Sequence, residues 1–202
     1  MEIVKVIPRI IELFDSTCIK QFESMGCKIK QVEQTSGLMG KDEDSSGSVV
    51  AFIEAASLDI SVKLFLKTPR ALLDQTMPRL GDCVDTVASL QEDWNLELAN
   101  RFLGRLKNKL VDHDCVMKMG LPELCSDSEY RKGSSTNAEK VVRLFLVYRG
   151  GSPGGKKGAA TVGGEVMECC IYINLLNEFM TLTDHEDEDE DWFAESELED
   201  IV

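Results

Sequence analysis

The sequence predicts an α/β domain, and three observations point there. Two long stretches carry apolar residues at helical spacing. Six shorter stretches are rich in alternating apolar and polar residues. The chain has 202 residues, 43% of them apolar, which is enough for one core and suits one domain with an appendage.

Glu2 to Met25 reads as the first helix, with Val6, Ile10, Leu13, Phe14, Cys18 and Phe22 forming an apolar stripe. Pro8 belongs in its first turn, and Gly26 is a natural stop. Cys27 to Gln34 alternates as a strand, and Ser36 to Ser48 is an acidic, turn-forming loop. Ser48 to Ala56 and Leu58 to Lys67 read as a pair of strands. Thr68-Pro69 predicts a short helix capped by Thr68 with Pro69 first, ended by Pro78 and Gly81.

The second long helix is expected from near Asp82 to Leu110. At about 100° per residue, Val84, Val87, Ala88, Leu98, Ala99, Phe102, Leu106 and Leu110 share one apolar face. Asp93, Glu97, Asn100 and Gly104 line up along the opposite side. A solvated face explains the two acids. It explains Asn100 and Gly104 less well, because Asn is a poor helix former and interior Gly costs roughly 1 kcal/mol against Ala. A carboxylate, a carboxamide and a missing side chain suit a helix that another molecule approaches closely.

Cys115 to Met119 reads as a strand, and Pro122 as the residue that fixes the turn after it. Ser126 to Asn137 is polar and expected as loop. Val141 to Tyr148 and Glu165 to Leu176 read as a hairpin joined through Arg149 to Gly164. That joining segment holds Gly150-x4-Gly155-Lys156, close to a phosphate-binding loop. Lys157 stands where Ser or Thr is needed and no helix follows, so the match is rejected.

The net charge of −14 is concentrated: Asp184 to Asp200 carries eleven acids and no base, leaving −3 elsewhere. A nearly balanced body gives no footprint for nucleic acid. No segment approaches the ~20 apolar residues of a membrane span, and Met1 to Lys5 lacks the start of a secretory signal. Seven scattered cysteines suggest reduced thiols in the cytoplasm. Cys169 and Cys170 fall on opposite faces of a strand, so no joint metal site is expected. His113 and His185 belong to no nucleophilic triad, and His113 is expected on the surface. Trp192-Phe193 interrupts the acidic run and suggests a short docking segment, or aromatics folded back on the domain.

Asp93-x3-Glu97-x2-Asn100 is followed by Pro122 after twenty-one residues. This pattern resembles the signature of the CheC/CheX/FliY family of bacterial chemotaxis phosphatases. The first helix lacks a second copy: Ile19 and Phe22 stand where Glu and Asn would follow Asp15. One site resembles CheX-type members rather than two-site CheC types. The resemblance implies a β-sheet with two long helices packed against it, spanning residues 1–177, followed by an acidic tail at 178–202. It implies hydrolysis of the aspartyl phosphate of a CheY-like response regulator. Asn100 would position water, Glu97 would orient the partner through its lysine, and Asp93 and Gly104 would contact it. The receiver would supply magnesium, so no cofactor of its own is implied. A homodimer joined through the sheets is also implied. The competing readings are a non-catalytic receiver-docking or flagellar-switch adaptor of the same fold, and an unrelated adaptor acting through its tail.

Overall fold

The computed structural model describes residues 6–32, 47–78, 86–132, 138–149, 164–177 and 179–182. The 33–46 and 150–163 connections, Gly81 and Asp82, and the Trp192-Phe193 segment lie outside these residues.

The chain starts with α1 (Val6–Ser24), and every residue of its expected stripe is buried. Pro8 lies in the first turn, where its missing N–H is harmless. Gly26 ends the helix at φ +73°, a left-handed conformation that glycine tolerates best. Three strands follow: β1 (Cys27–Val32), β2 (Ser48–Ala56) and β3 (Ile60–Pro69). Then come α2 (Arg70–Thr76), the long α3 (Val87–Val111), β4 (Lys118–Met119), β5 (Glu123–Leu124) and α4 (Asp127–Lys132). The antiparallel pair β6 (Glu139–Arg149) and β7 (Glu165–Leu175) completes the set.

These strands form one seven-stranded antiparallel sheet in the order β1-β6-β7-β3-β2-β4, with β5 also on β2. The two long helices pack on one face over a single large core. Phe102 of α3 meets both Phe14 and Phe22 of α1, with ring centroids 6.5 and 5.7 Å away. Met180 and Leu182, beyond the last strand, also pack on this core. The opposite face carries a smaller cluster in which Phe65 touches Phe52, Tyr130 and Tyr172. Cys169 and Cys170 divide between these clusters, as alternation along a strand requires. No helix among the described residues is long and apolar enough to cross a membrane.

Several local expectations are corrected. Thr68 does not cap α2: it is a buried strand residue paired with Val49, and Pro69 takes the cap position without a side-chain bond. The β3 ladder claims the residue that local chemistry assigned to the helix. The segment expected as loop after Cys125 contains α4. Glu129 accepts from the Ser126 N–H (2.7 Å) and the Glu129 N–H donates to Ser126 Oγ (3.3 Å), a reciprocal capping box. His113 is buried rather than on the surface. Only Lys118 and Met119 of the expected Cys115–Met119 strand join the sheet.

Pro122 does not reverse the chain. Met119 pairs with Ala55 and Glu123 with Phe52, so both short strands run on along β2. Three residues, 120–122, oppose two, 53–54, which is a β-bulge on the edge of the sheet. A residue without an N–H fits where the ladder is interrupted.

Candidate functional site

The site is built on α3. Its start is Val87, because Thr86 is extended (φ −70°, ψ 147°) and its hydroxyl caps the Ser89 N–H at 3.3 Å. The expected start near Asp82 is thus corrected to five residues later. Val87 and Ala88, expected on the core face, are exposed. They precede the point where the helix meets the sheet.

From Trp94 onward the helix is pinned in roll. Trp94 Nε1 donates to Thr76 Oγ1 of α2 at 3.0 Å. Asn95, fully buried, donates from Nδ2 to the Val49 and Leu66 carbonyls at 3.1 and 3.3 Å. Leu98, Ala99, Phe102 and Leu106 are fully buried behind it. Asn95 was missed in the sequence, although it precedes Leu98, Ala99 and Phe102 by three, four and seven residues. A polar residue on an apolar stripe was the available signal.

This pinning sets the outward face. Asp93 is exposed, and Glu97 and Asn100 are half-buried beside the core residues. Neither the Asp93 nor the Asn100 side chain makes a hydrogen bond among the described residues. Glu97 Oε1 accepts from Arg101 Nε at 2.7 Å. The Arg101 guanidinium lies over the Trp94 ring at 5.1 Å. Glu97 is therefore positioned through Arg101 and Trp94 back to Thr76. Both members of the ion pair are 43% exposed, so the pair is worth only tenths of a kcal/mol. Its consequence is orientation rather than stability.

Gly104 departs from the straight exposed line. It is half-buried, with the Met119 side chain of β4 beside it. A Cβ at Gly104 would find Met119 at 3.8 and 3.9 Å, an ordinary contact. Packing within the chain does not demand glycine. Asn100 and Gly104 border a groove of about 720 Å³ between α3 and the end of α1. Arg101, Arg105 and Lys107 add positive charge to it, and Met25 and Met119 add apolar surface. Arg105 titrates below the usual guanidinium range, because burial and the neighbouring Arg101 charge both disfavour its cation. Pro122 lies at the sheet edge in the bulge that follows Met119 and Gly120.

The α1 counterpart is closed. Asp15 is held by Arg143 Nε through both carboxylate oxygens at 3.2 and 3.0 Å, and Phe22 is in the core.

Solved structures share this architecture. The chemotaxis protein CheX from Vibrio vulnificus aligns with 15% identity over 80% of this chain and 95% of its own, at a TM-score of 0.54. CheX from Desulfovibrio desulfuricans aligns with 12% identity over 83% and 99%, also at 0.54. The chain has the fold of the CheX and CheC-like chemotaxis proteins. A CheC-like protein from Shewanella oneidensis aligns with 17% identity over 82% and 97%, at 0.52. No protein-family model and no curated protein matches the sequence. On this CheX-like scaffold, the expected sheet with two long helices is observed.

Proposed function

We propose that the chain is a phosphatase of the aspartyl phosphate on a CheY-like receiver domain. The observation that carries this reading is Asn100. Its carboxamide has no hydrogen bond among the described residues, on a helix fixed against the sheet by Trp94 and Asn95. A neutral group that both donates and accepts suits a water molecule about to attack in line. Glu97, one turn earlier, supplies a carboxylate for the receiver's lysine, pre-oriented by Arg101. Asp93 extends the contact surface, and Gly104 removes bulk where the partner's helix approaches. An acyl phosphate is labile, so positioning is most of the catalysis required. Magnesium belongs to the receiver in this reading. The chain acts in the cytoplasm and pairs with a second copy through its sheet.

The second reading is a docking adaptor of the same fold. One observation favours it: the Glu97 carboxylate is already engaged by Arg101. The test is loss of phosphate from a phosphorylated chemotaxis receiver, with wild type, Asn100→Ala and Glu97→Ala. We expect acceleration by wild type and a fall of about 10²-fold for Asn100→Ala with receiver binding kept, typical of one positioned polar group. Binding without acceleration would favour the adaptor.

A further inference from the structure

Trp94, Glu97 and Arg101 stand at i, i+3 and i+7 on α3, which brings all three to one side of the helix. Trp94 is held from behind: it is 7% exposed, and its Nε1 donates to Thr76 Oγ1 at 3.0 Å. The Arg101 guanidinium lies over this ring at 5.1 Å, a contact that holds it independently of any carboxylate. From there Arg101 reaches Glu97 through Nε, and only to Oε1, at 2.7 Å. Glu97 Oε2 accepts no hydrogen bond among the described residues.

Asp15 shows the alternative arrangement. Arg143 Nε engages both of its oxygens, at 3.2 and 3.0 Å. Glu97 is 43% exposed and keeps one oxygen for a second cation. That second cation is restricted in kind. A guanidinium reaches its full strength on a carboxylate through two parallel hydrogen bonds, one to each oxygen. With Oε1 held by Arg101, that pairing is closed. An ammonium is a compact point charge and needs one oxygen only. It can take Oε2 while Arg101 keeps Oε1.

We propose that Arg101, seated on Trp94, is a specificity-determining residue that makes Glu97 an acceptor for lysine rather than arginine. This rests on the contact proposed above between Glu97 and the receiver's lysine, and it holds for a phosphatase and an adaptor alike. The pairing with Arg101 leaves Glu97 one oxygen and fixes where that oxygen stands. Arg101 is a positioning residue and touches no reacting atom.

The test reads binding, so it does not depend on turnover. A chemotaxis receiver domain is loaded with magnesium and beryllofluoride, a stable mimic of its acyl phosphate. A second receiver carries arginine in place of its active-site lysine. Each is titrated with wild type, Arg101→Gln, Glu97→Gln and the double variant. The ratio of the two dissociation constants reports the preference for lysine. Whatever the arginine does to the receiver itself enters every ratio and cancels between chains. Glu97→Gln sets the baseline. Wild type should prefer lysine above that baseline, and Arg101→Gln should lower the preference about fivefold, the effect of one further hydrogen bond on an exposed carboxylate. In the Glu97→Gln background, Arg101→Gln should leave the ratio unchanged. A general loss of structure would weaken both receivers together and would not move the ratio. Equal ratios for wild type and Arg101→Gln, or the same drop in the Glu97→Gln background, would overturn the proposal alone. The expected ratios without loss of phosphate would support it, in an adaptor. Failure to bind the lysine receiver, or equal binding of it by wild type and Glu97→Gln, would remove the contact between Glu97 and lysine, and with it both readings.

Discussion

Helices α1 and α3 differ in what they do with equivalent positions. Both lay an apolar stripe on the same sheet and meet through Phe14, Phe22 and Phe102. On α1, Asp15 is tied to Arg143 and Phe22 is fully buried. On α3, Asp93 and Asn100 point away from the core without a bond among the described residues. A helix can present chemistry only on the arc that packing leaves open. On α3 the roll is fixed by two polar anchors, Trp94 to Thr76 and Asn95 to the β2 and β3 carbonyls. On α1 the corresponding positions serve packing and an ion pair.

The comparison breaks most visibly if α1 is given the residue of α3. Phe22→Asn removes a fully buried ring and leaves a carboxamide in its place. Chemical denaturation should register a loss of about 3–5 kcal/mol. Asn100→Ala, by contrast, should leave stability unchanged or raise it by a few tenths of a kcal/mol, since alanine is the better helix former.

A finer probe is Gly104→Ala. The added methyl fits beside Met119, so the helix should gain about 0.5–1 kcal/mol in thermal or denaturant unfolding. On the proposed phosphatase reading, the same variant should dephosphorylate a receiver more slowly, with weaker binding as the cause. A gain in stability without a change in receiver affinity would detach Gly104 from the partner surface.

The smallest effect concerns Asp15. Burial raises its carboxyl above the ordinary value, against the attraction of Arg143. The native state therefore holds that proton more tightly than the unfolded chain. Its contribution is present below the ordinary Asp range and is lost as pH rises through the folded value. Wild type should thus lose stability relative to Asp15→Asn as pH rises from about 3.5 toward neutrality. Paired denaturation curves across that range check the sign, and an opposite slope would mean that Arg143 outweighs burial.

Much of this was legible in the residues. The stripe of α1, the face of α3 from Leu98 onward and the β6–β7 pair follow from periodicity, because burial on one side repeats at the element's own period. The outward placement of Asp93, Glu97 and Asn100 was legible because each lies off the apolar stripe by the helical period. Thr68 and Pro122 were misplaced because each obeys a partner distant in sequence, and His113 because its burial is set by how the end of α3 packs. The β2 ladder holds Thr68 and sets the bulge at Pro122. The groove was invisible because it needs Met25 just after α1, Met119 of β4 and Arg105 of α3 together.

By itself, the sequence determined that the chain makes two long amphipathic helices and a set of strands, and that Asp93, Glu97 and Asn100 lie off the apolar stripe of α3. Those are consequences of local geometry and side-chain polarity. Tertiary structure alone decided that Glu97 is steered by Arg101 stacked on Trp94, that Gly104 borders a groove rather than open solvent, and that the α1 positions are closed. Each of these depends on contacts between elements, whose distances no local pattern encodes.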